Sequence, residues 1–133
     1  MKILIKLPAI IYRTYIDRGQ DIPYFRTIVT LVSILFLHAV HVALLFDFPS
    51  TYIMPWSSKE TKSVQWFYGT IYFGILYAVI AMIYQKGKLE KVTVTQRQIK
   101  RCKLILPIYL TVCILLLVAL LIKLGVEKGK INL

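Results

Sequence analysis

Two histidines, His38 and His41, are the side chains in this sequence with the clearest capacity for chemistry. They stand three residues apart in a charge-free apolar stretch, so both imidazoles lie on the same side of one helix. Ionisable groups at membrane depth are costly and commonly serve proton transfer, ligand binding or haem ligation. The pair is a candidate cofactor-binding site or proton relay. The simpler interpretation is two neutral histidines that are hydrogen-bonded inside a helix bundle.

A haem with two histidine ligands would need a second chain, because both rings of this pair point the same way. Cys102 and Cys113 are 11 residues apart on one predicted helix, or about 16 Å at 1.5 Å per residue, which is too far for a disulfide. We expect free thiols.

The sequence has no HExxH motif, phosphate-binding glycine-rich loop or nucleophile elbow. We therefore expect no stand-alone enzyme, and the sequence identifies no cofactor or metal.

The elements that carry these residues follow from the composition. Of the 133 residues 58% are hydrophobic, with 17 Lys and Arg against 6 Asp and Glu. Three blocks of 19 to 23 residues contain no charge, namely 27–46, 63–85 and 104–122. About 20 helical residues cross a hydrocarbon core about 30 Å thick. The sequence predicts an all-α integral membrane protein with three transmembrane helices, preceded by an N-terminal amphipathic interfacial helix. A soluble enzyme, a disulfide scaffold and a disordered tail are excluded.

The element boundaries follow from caps and charges. Asp21 and Pro23 predict the start of the first span, and Thr95 with Gln98 forms a capping-box pattern before the third. The predicted order is an interfacial helix 1–20, transmembrane helix 22–46, outer loop 47–62, transmembrane helix 63–85, cytoplasmic loop 86–95, transmembrane helix 96–124 with a basic cytoplasmic extension, and outer tail 125–133.

The first 20 residues form an amphipathic pattern. On a helical wheel, Lys2, Lys6, Arg13, Asp17 and Gln20 share one arc, opposite Leu4, Leu7, Ile11 and Tyr15. This predicts a helix in the membrane interface that frays near 17–19; a docking helix for a partner subunit is the alternative. The residues expected to contact lipid headgroups are Lys2, Lys6, Arg13, Arg97, Lys100, Arg101 and Lys103.

The distribution of Lys and Arg predicts the orientation. Residues 1–26 and 86–103 hold twelve of them, against five in 47–62 and the tail. Positively charged loops stay on the cytoplasmic side, so the N-terminus is predicted inside and the C-terminus outside. Because the basic segments lie beside membrane spans, we expect anionic lipid rather than nucleic acid as their partner.

A small-residue stripe predicts helix packing, whereas a leucine heptad alone does not, because leucine is common on lipid-facing helices. Thr70, Gly74, Ala78 and Ala81 form a small-residue stripe on the second span, which allows another helix to approach closely. Leucines and Cys113 form an approximate heptad on the third span, at residues 106, 110, 113, 117, 120 and 124. If the first two spans pair, Tyr72 and Tyr77 could hydrogen-bond to the histidines.

Three short spans leave little room for a self-contained catalytic cavity. The sequence favours a small accessory or structural subunit of a larger membrane protein complex, with other membrane subunits as partners. One alternative is a haem-, quinone- or proton-handling subunit that uses His38 and His41. Another is an independent membrane regulator or immunity-type protein.

Overall fold

The computed structural model describes residues 2–47 and 61–129, and every regular element in those ranges is an α-helix. The five helices are α1 (Lys2–Asp17), α2 (Pro23–Leu45), α3 (Lys62–Ile83), α4 (Lys86–Glu90) and α5 (Gln96–Glu127). Helices α2, α3 and α5 are each long and apolar enough to cross a membrane, which confirms that part of the prediction. Most of the predicted loop 47–62 and residues 130–133 of the predicted tail lie outside the described residues.

Helix α2 lies at the centre of the bundle and packs against α1, α3 and α5. Helix α3 runs antiparallel to it. Tyr24, near the start of α2, donates a hydrogen bond of 3.2 Å to the carbonyl of Ala81, near the end of α3. Farther along, the rings of Phe36 and Phe73 meet edge to face with centroids 5.0 Å apart. The two helices therefore form an antiparallel pair.

The apolar core joins the first half of α2 to α1 and to the end of α3. Its buried residues are Ile11, Ile28, Leu31, Val32 and Ile80. Ile11 of α1 is only 1% exposed and Tyr15 packs against the same core, whereas Leu4 and Leu7 are largely exposed. The wheel grouped these four residues as one lipid-facing arc. In the structure two of them contact the bundle instead, because α1 packs against α2, α4 and α5.

Helix α1 ends in a defined cap. Gly19 adopts a left-handed φ of 66°, and the amides of Gly19 and Gln20 donate to the carbonyls of Ile16 and Tyr15 at 2.9 and 3.2 Å. This is the Schellman arrangement, in which the glycine conformation lets two amides close the last turn. The expected fraying after Asp17 is therefore replaced by an ordered turn.

The predicted cytoplasmic loop 86–95 contains the short helix α4. Leu89 in α4 is completely buried and packs against Ala9 and Tyr12 of α1. A single apolar residue among charges gives no helical periodicity, so this turn was not predicted. Its formation depends on the surface that α1 provides.

The helix caps were predicted in part. The capping box before α5 is present: the Gln98 amide donates to Thr95 Oγ1 at 3.4 Å, and the Thr95 amide donates to Gln98 Oε1 at 3.0 Å. At the start of α2, Pro23 occupies the first turn as expected. The N-cap residue is Ile22, without a side-chain hydrogen bond, so the prediction of Asp21 as the cap is wrong.

Candidate functional site

The two histidines lie in the C-terminal third of α2, on the side that faces α5. His41 is 6% exposed, and its Nε2 lies 3.0 Å from the carbonyl oxygen of Cys113. The Cys113 side chain is also buried, at the middle of the heptad stripe of α5. Farther along the same interface, Leu44 and Leu45 line a small cavity with Leu120 and Leu124. Helix α5 therefore runs parallel to α2.

His38 has a different environment from His41. It is exposed, and its Nε2 hydrogen-bonds to the hydroxyl of Tyr109 on α5. The Tyr109 ring stands edge-on to the His38 ring, with centroids 5.9 Å apart, and the two histidine rings are 6.1 Å apart. Two aromatic polar groups of α2 thus meet one tyrosine and one backbone carbonyl of α5.

The hydrogen bond of His41 determines its tautomer. A carbonyl oxygen only accepts hydrogen bonds, so the neutral ring carries its proton on Nε2 and donates it to Cys113. Nδ1 then has a free lone pair, and it is buried without a hydrogen-bond partner among the described residues. A buried acceptor left unpaired costs about 1–3 kcal/mol. Nδ1 can therefore accept a hydrogen bond from a donor group of a ligand.

The donor set is poorly suited to a metal ion. Within residues 2–47 and 61–129, no three His, Cys, Asp or Glu side chains lie close enough together to hold one. Both cysteines are free thiols, and it is the carbonyl of Cys113, not its sulfur, that contacts His41. The lone pair of His41 Nδ1 could be one ligand of a group held jointly with another chain.

The predicted tyrosine partners of the histidines are wrong. Tyr77 packs against Phe25 with ring centroids 5.5 Å apart, and Tyr72 contacts the neighbouring Phe73. Phe25 and His38 are 13 residues apart on α2, which corresponds to about 20 Å along the helix. The antiparallel register of α3 therefore places Tyr77 far from the histidines.

Tyr109 was missed, although the sequence contains a signal for it. It lies four residues before Cys113 and three after Leu106, and it therefore lies on the same face as the heptad stripe. That stripe is the least exposed side of α5: Cys113 is buried and its leucines are half-buried. The spacing thus placed a polar aromatic on the heptad face, but it did not show that this face meets the histidines of α2.

The small-residue stripe of α3 is mostly uncovered. Thr70, Gly74 and Ala78 are exposed, and a methyl group built on Gly74 would meet no atom within 4 Å. Ala81 differs, because it packs against the core and its carbonyl accepts the Tyr24 hydrogen bond. Within the described chain, packing of α3 on α2 uses only the last member of the stripe.

The basic residues expected at the lipid headgroups fall into two groups. Arg13 donates to the Glu90 carbonyl at 3.1 Å, and Lys103 forms an ion pair with Asp17. These two therefore connect helices of the chain. The exposed members, which have no ion pair or side-chain hydrogen bond in the described structure, are Lys6, Arg97, Lys100 and Arg101. The side chain of Lys2 lies outside the described part.

A proline explains one further contact between α1 and α5. Pro107 lies inside α5 and has no amide hydrogen, so the carbonyl of Lys103 loses its normal helical donor. The guanidinium of Arg18 donates to that carbonyl at 3.1 Å. The C-terminal turn of α1 is thereby held against the proline of α5.

Tyr12 links α1 to α4. Its side chain is 2% exposed, and its hydroxyl donates a hydrogen bond of 3.0 Å to Glu90 Oε1. Burial, and after it the hydrogen bond to the Glu90 carboxylate, raises the pKa of Tyr12 above its usual value. The phenol therefore stays protonated and keeps its donor role at neutral pH.

None of the protein-family models, curated proteins or solved structures compared with this chain matches it.

Proposed function

We propose that the chain is a multi-pass membrane protein that serves as a small accessory subunit of a larger membrane protein assembly. Its three long apolar helices are compatible with a multi-pass membrane protein. The positive charge concentrated in residues 1–26 and 86–103 favours a cytoplasmic N-terminus and a C-terminus on the outer side. Lys6, Arg97, Lys100 and Arg101 then contact anionic headgroups, and α1 lies at the cytoplasmic interface.

The uncovered state of α3 is the observation that carries this proposal. In the most apolar 18-residue window of each helix, 28% of α2 is buried inside the chain, against 6% of both α3 and α5, so the small residues rather than burial alone distinguish α3. Exposed aliphatic side chains alone are suited to lipid. A surface that includes Thr70, Gly74 and Ala78 also allows the backbone of another helix to approach closely, which favours a protein partner.

Purification in mild detergent followed by mass spectrometry tests the proposal. We expect a stoichiometric membrane partner with the unchanged chain and its loss from Gly74→Leu, because the larger side chain separates the helices. Ala119→Leu is the matched control, since Ala119 is an exposed small residue on α5 outside the stripe. A chain that purifies alone, or a partner retained equally by both variants, contradicts the proposal.

Orientation is tested separately with a C-terminal reporter that is active only in the cytoplasm. The proposed topology gives an inactive reporter, and an active one would reverse it.

A second candidate function, favoured by the buried unpartnered Nδ1 of His41, is a subunit that handles protons, a quinone or a haem. His41 would donate to Cys113 and accept from the ligand, while Tyr109 holds His38 beside it. The visible spectrum of the purified assembly and the activity of a His38→Ala, His41→Ala double variant test this candidate. A spectrum without haem bands together with unchanged activity would exclude it.

A further inference from the structure

An apolar groove of about 470 Å³ lies between α1, α2 and α5. Its walls include Leu7 and Ile10 of α1, Ile34 of α2, and Ile105 and Leu106 of α5. Leu7 and Ile105 are 58% and 57% exposed, so the groove opens to the outside of the bundle. Ligand pockets commonly have volumes of about 300–1,000 Å³, so the groove is large enough for a sizeable aliphatic group.

The groove has a basic end, and its middle is apolar. Gln98 and Arg101 line it at the start of α5, and Tyr109 lines it farther along the helix. Arg101 and Tyr109 are eight residues apart, or about 12 Å along the axis. Between these two residues, apolar side chains of α1, α2 and α5 line the groove. This arrangement matches an amphiphile with a polar head at Arg101 and an aliphatic chain directed toward Tyr109.

The polar end is positively charged. Arg101 has no ion pair or side-chain hydrogen bond within the ranges that the structure describes, and Arg97, four residues earlier, lies on the same side of α5. The nearby Lys103, by contrast, is already paired with Asp17. No acidic side chain is among the described residues that line the groove. A negatively charged headgroup is electrostatically complementary to this end of the groove.

We propose that the groove binds one anionic phospholipid, with an acyl chain between α1 and α5 and its phosphate at Arg101. The proposal rests on the membrane location proposed above and is independent of the accessory-subunit role. It goes beyond headgroup attraction in general, because it assigns one lipid molecule to one cavity. The interfacial helix α1 then forms one wall of the lipid site.

Native mass spectrometry of the full chain tests the preference for an anionic headgroup. The chain is mixed with phosphatidylglycerol and phosphatidylcholine of identical acyl chains at equal concentration. We expect one phosphatidylglycerol retained per chain, in preference to phosphatidylcholine. One basic side chain near the membrane surface corresponds to about a fivefold change in binding, so Arg101→Gln should lower phosphatidylglycerol retention about fivefold. Arg101→Lys should largely restore it. Lys88→Gln, an exposed charge on α4, should leave it unchanged.

A matched pair of isoleucines tests the acyl chain. Ile105 and Ile108 are 57% and 55% exposed on the same helix, and only Ile105 lines the groove. Ile105→Trp should fill the groove and reduce retention of both lipids, whereas Ile108→Trp should not. Circular dichroism checks that each variant keeps its helix content.

Equal retention of the two lipids by the unchanged chain, or equal effects of Ile105→Trp and Ile108→Trp, would overturn the proposal. Loss of a co-purifying protein instead of lipid from Ile105→Trp would assign the groove to a partner helix and also overturn it. Alkaline carbonate extraction of the unchanged chain distinguishes these results from a failure of membrane insertion, because a chain that is extracted was never in the bilayer.

Discussion

The two ends of the helix bundle differ in how far the chain covers its own surface. The anchored end comprises α1, α4, the first half of α2, the end of α3 and the first turns of α5. It contains the buried residues Ala9, Ile11, Tyr12, Thr14, Thr27, Ile28, Leu31, Val32, Ile80, Leu89 and Ile99. The open end comprises the remaining described parts of α2, α3 and α5. Its buried residues are His41, Ala43 and Cys113.

The two ends also differ in their polar contacts. At the anchored end, side chains of α1 reach α2 and α4, through Tyr15 to Thr30 and Tyr12 to Glu90, and Arg18, directly after α1, reaches the Lys103 carbonyl of α5. At the open end, the contacts of His38 and His41 with α5 connect two helices. The comparison indicates that one end holds the described helices together, while the other leaves apolar helix surface uncovered.

The largest expected effect comes from the core of the anchored end. Ile28 is fully buried, so Ile28→Ala should lower the free energy of unfolding in detergent by about 3 kcal/mol through lost contacts and a cavity. Ile114→Ala, at a 53% exposed position of the open end, should cost less than about 0.5 kcal/mol. Denaturation with SDS measures both. Similar losses of unfolding free energy in the two variants would contradict the proposed difference in stability between the two ends.

The next effect concerns the contact between α1 and the proline of α5. Arg18→Ala should cost about 1 kcal/mol, because the Lys103 carbonyl loses its donor. Pro107→Ala restores a helical amide for that carbonyl, so in this background Arg18→Ala should cost almost nothing. A double-mutant cycle measures this coupling. Equal costs of Arg18→Ala in both backgrounds would show that Arg18 does not act through the proline.

A smaller effect is expected at the histidine of the open end. His41→Leu removes one hydrogen bond to a carbonyl, worth about 0.6 kcal/mol on average in membrane helices, and also removes the buried unpaired Nδ1. Stability in detergent should therefore not decrease, while any ligand of the site should be lost. A decrease of more than about 2 kcal/mol would make His41 a structural element of the fold.

The smallest effect is the pH dependence of stability that arises from Tyr12, because it is seen only at alkaline pH. Because its pKa is raised from 10.0 in the folded chain, the folded state holds this proton more tightly than the unfolded state. The resulting stability is fully present below about pH 10 and is lost as the pH rises through the folded pKa. Relative to Tyr12→Phe, the unchanged chain should lose stability with rising pH only in this alkaline range. A difference in stability between the unchanged chain and Tyr12→Phe that stays constant with pH would contradict this prediction.

The sequence predicted the features that depend on local pattern. Charge-free blocks predicted the three long helices, and the Thr95 and Gln98 pair predicted the cap of α5. Features that depend on relative position could not be derived in this way. A helical period identifies a face but not the neighbour that covers it, which is why Tyr72 and Tyr77 were considered as partners of the histidines and Tyr109 was not.

The N-terminal helix illustrates the same limit. Its wheel gives a polar and an apolar arc, but Ile11 is buried by α2 while Leu7 is exposed beside the groove. The difference arises because α1 contacts three other helices, and the sequence gives no spacing signal for such contacts.

Photo-crosslinking from position 78 in intact membranes tests most directly the claim that the open surface of α3 binds another membrane protein. A photoreactive residue in place of Ala78 should give one discrete protein adduct of defined mass, and the same residue at Ala119 should give none, because Ala119 lies outside the stripe. If position 78 gives no protein adduct, α3 faces only lipid and the accessory-subunit proposal is contradicted.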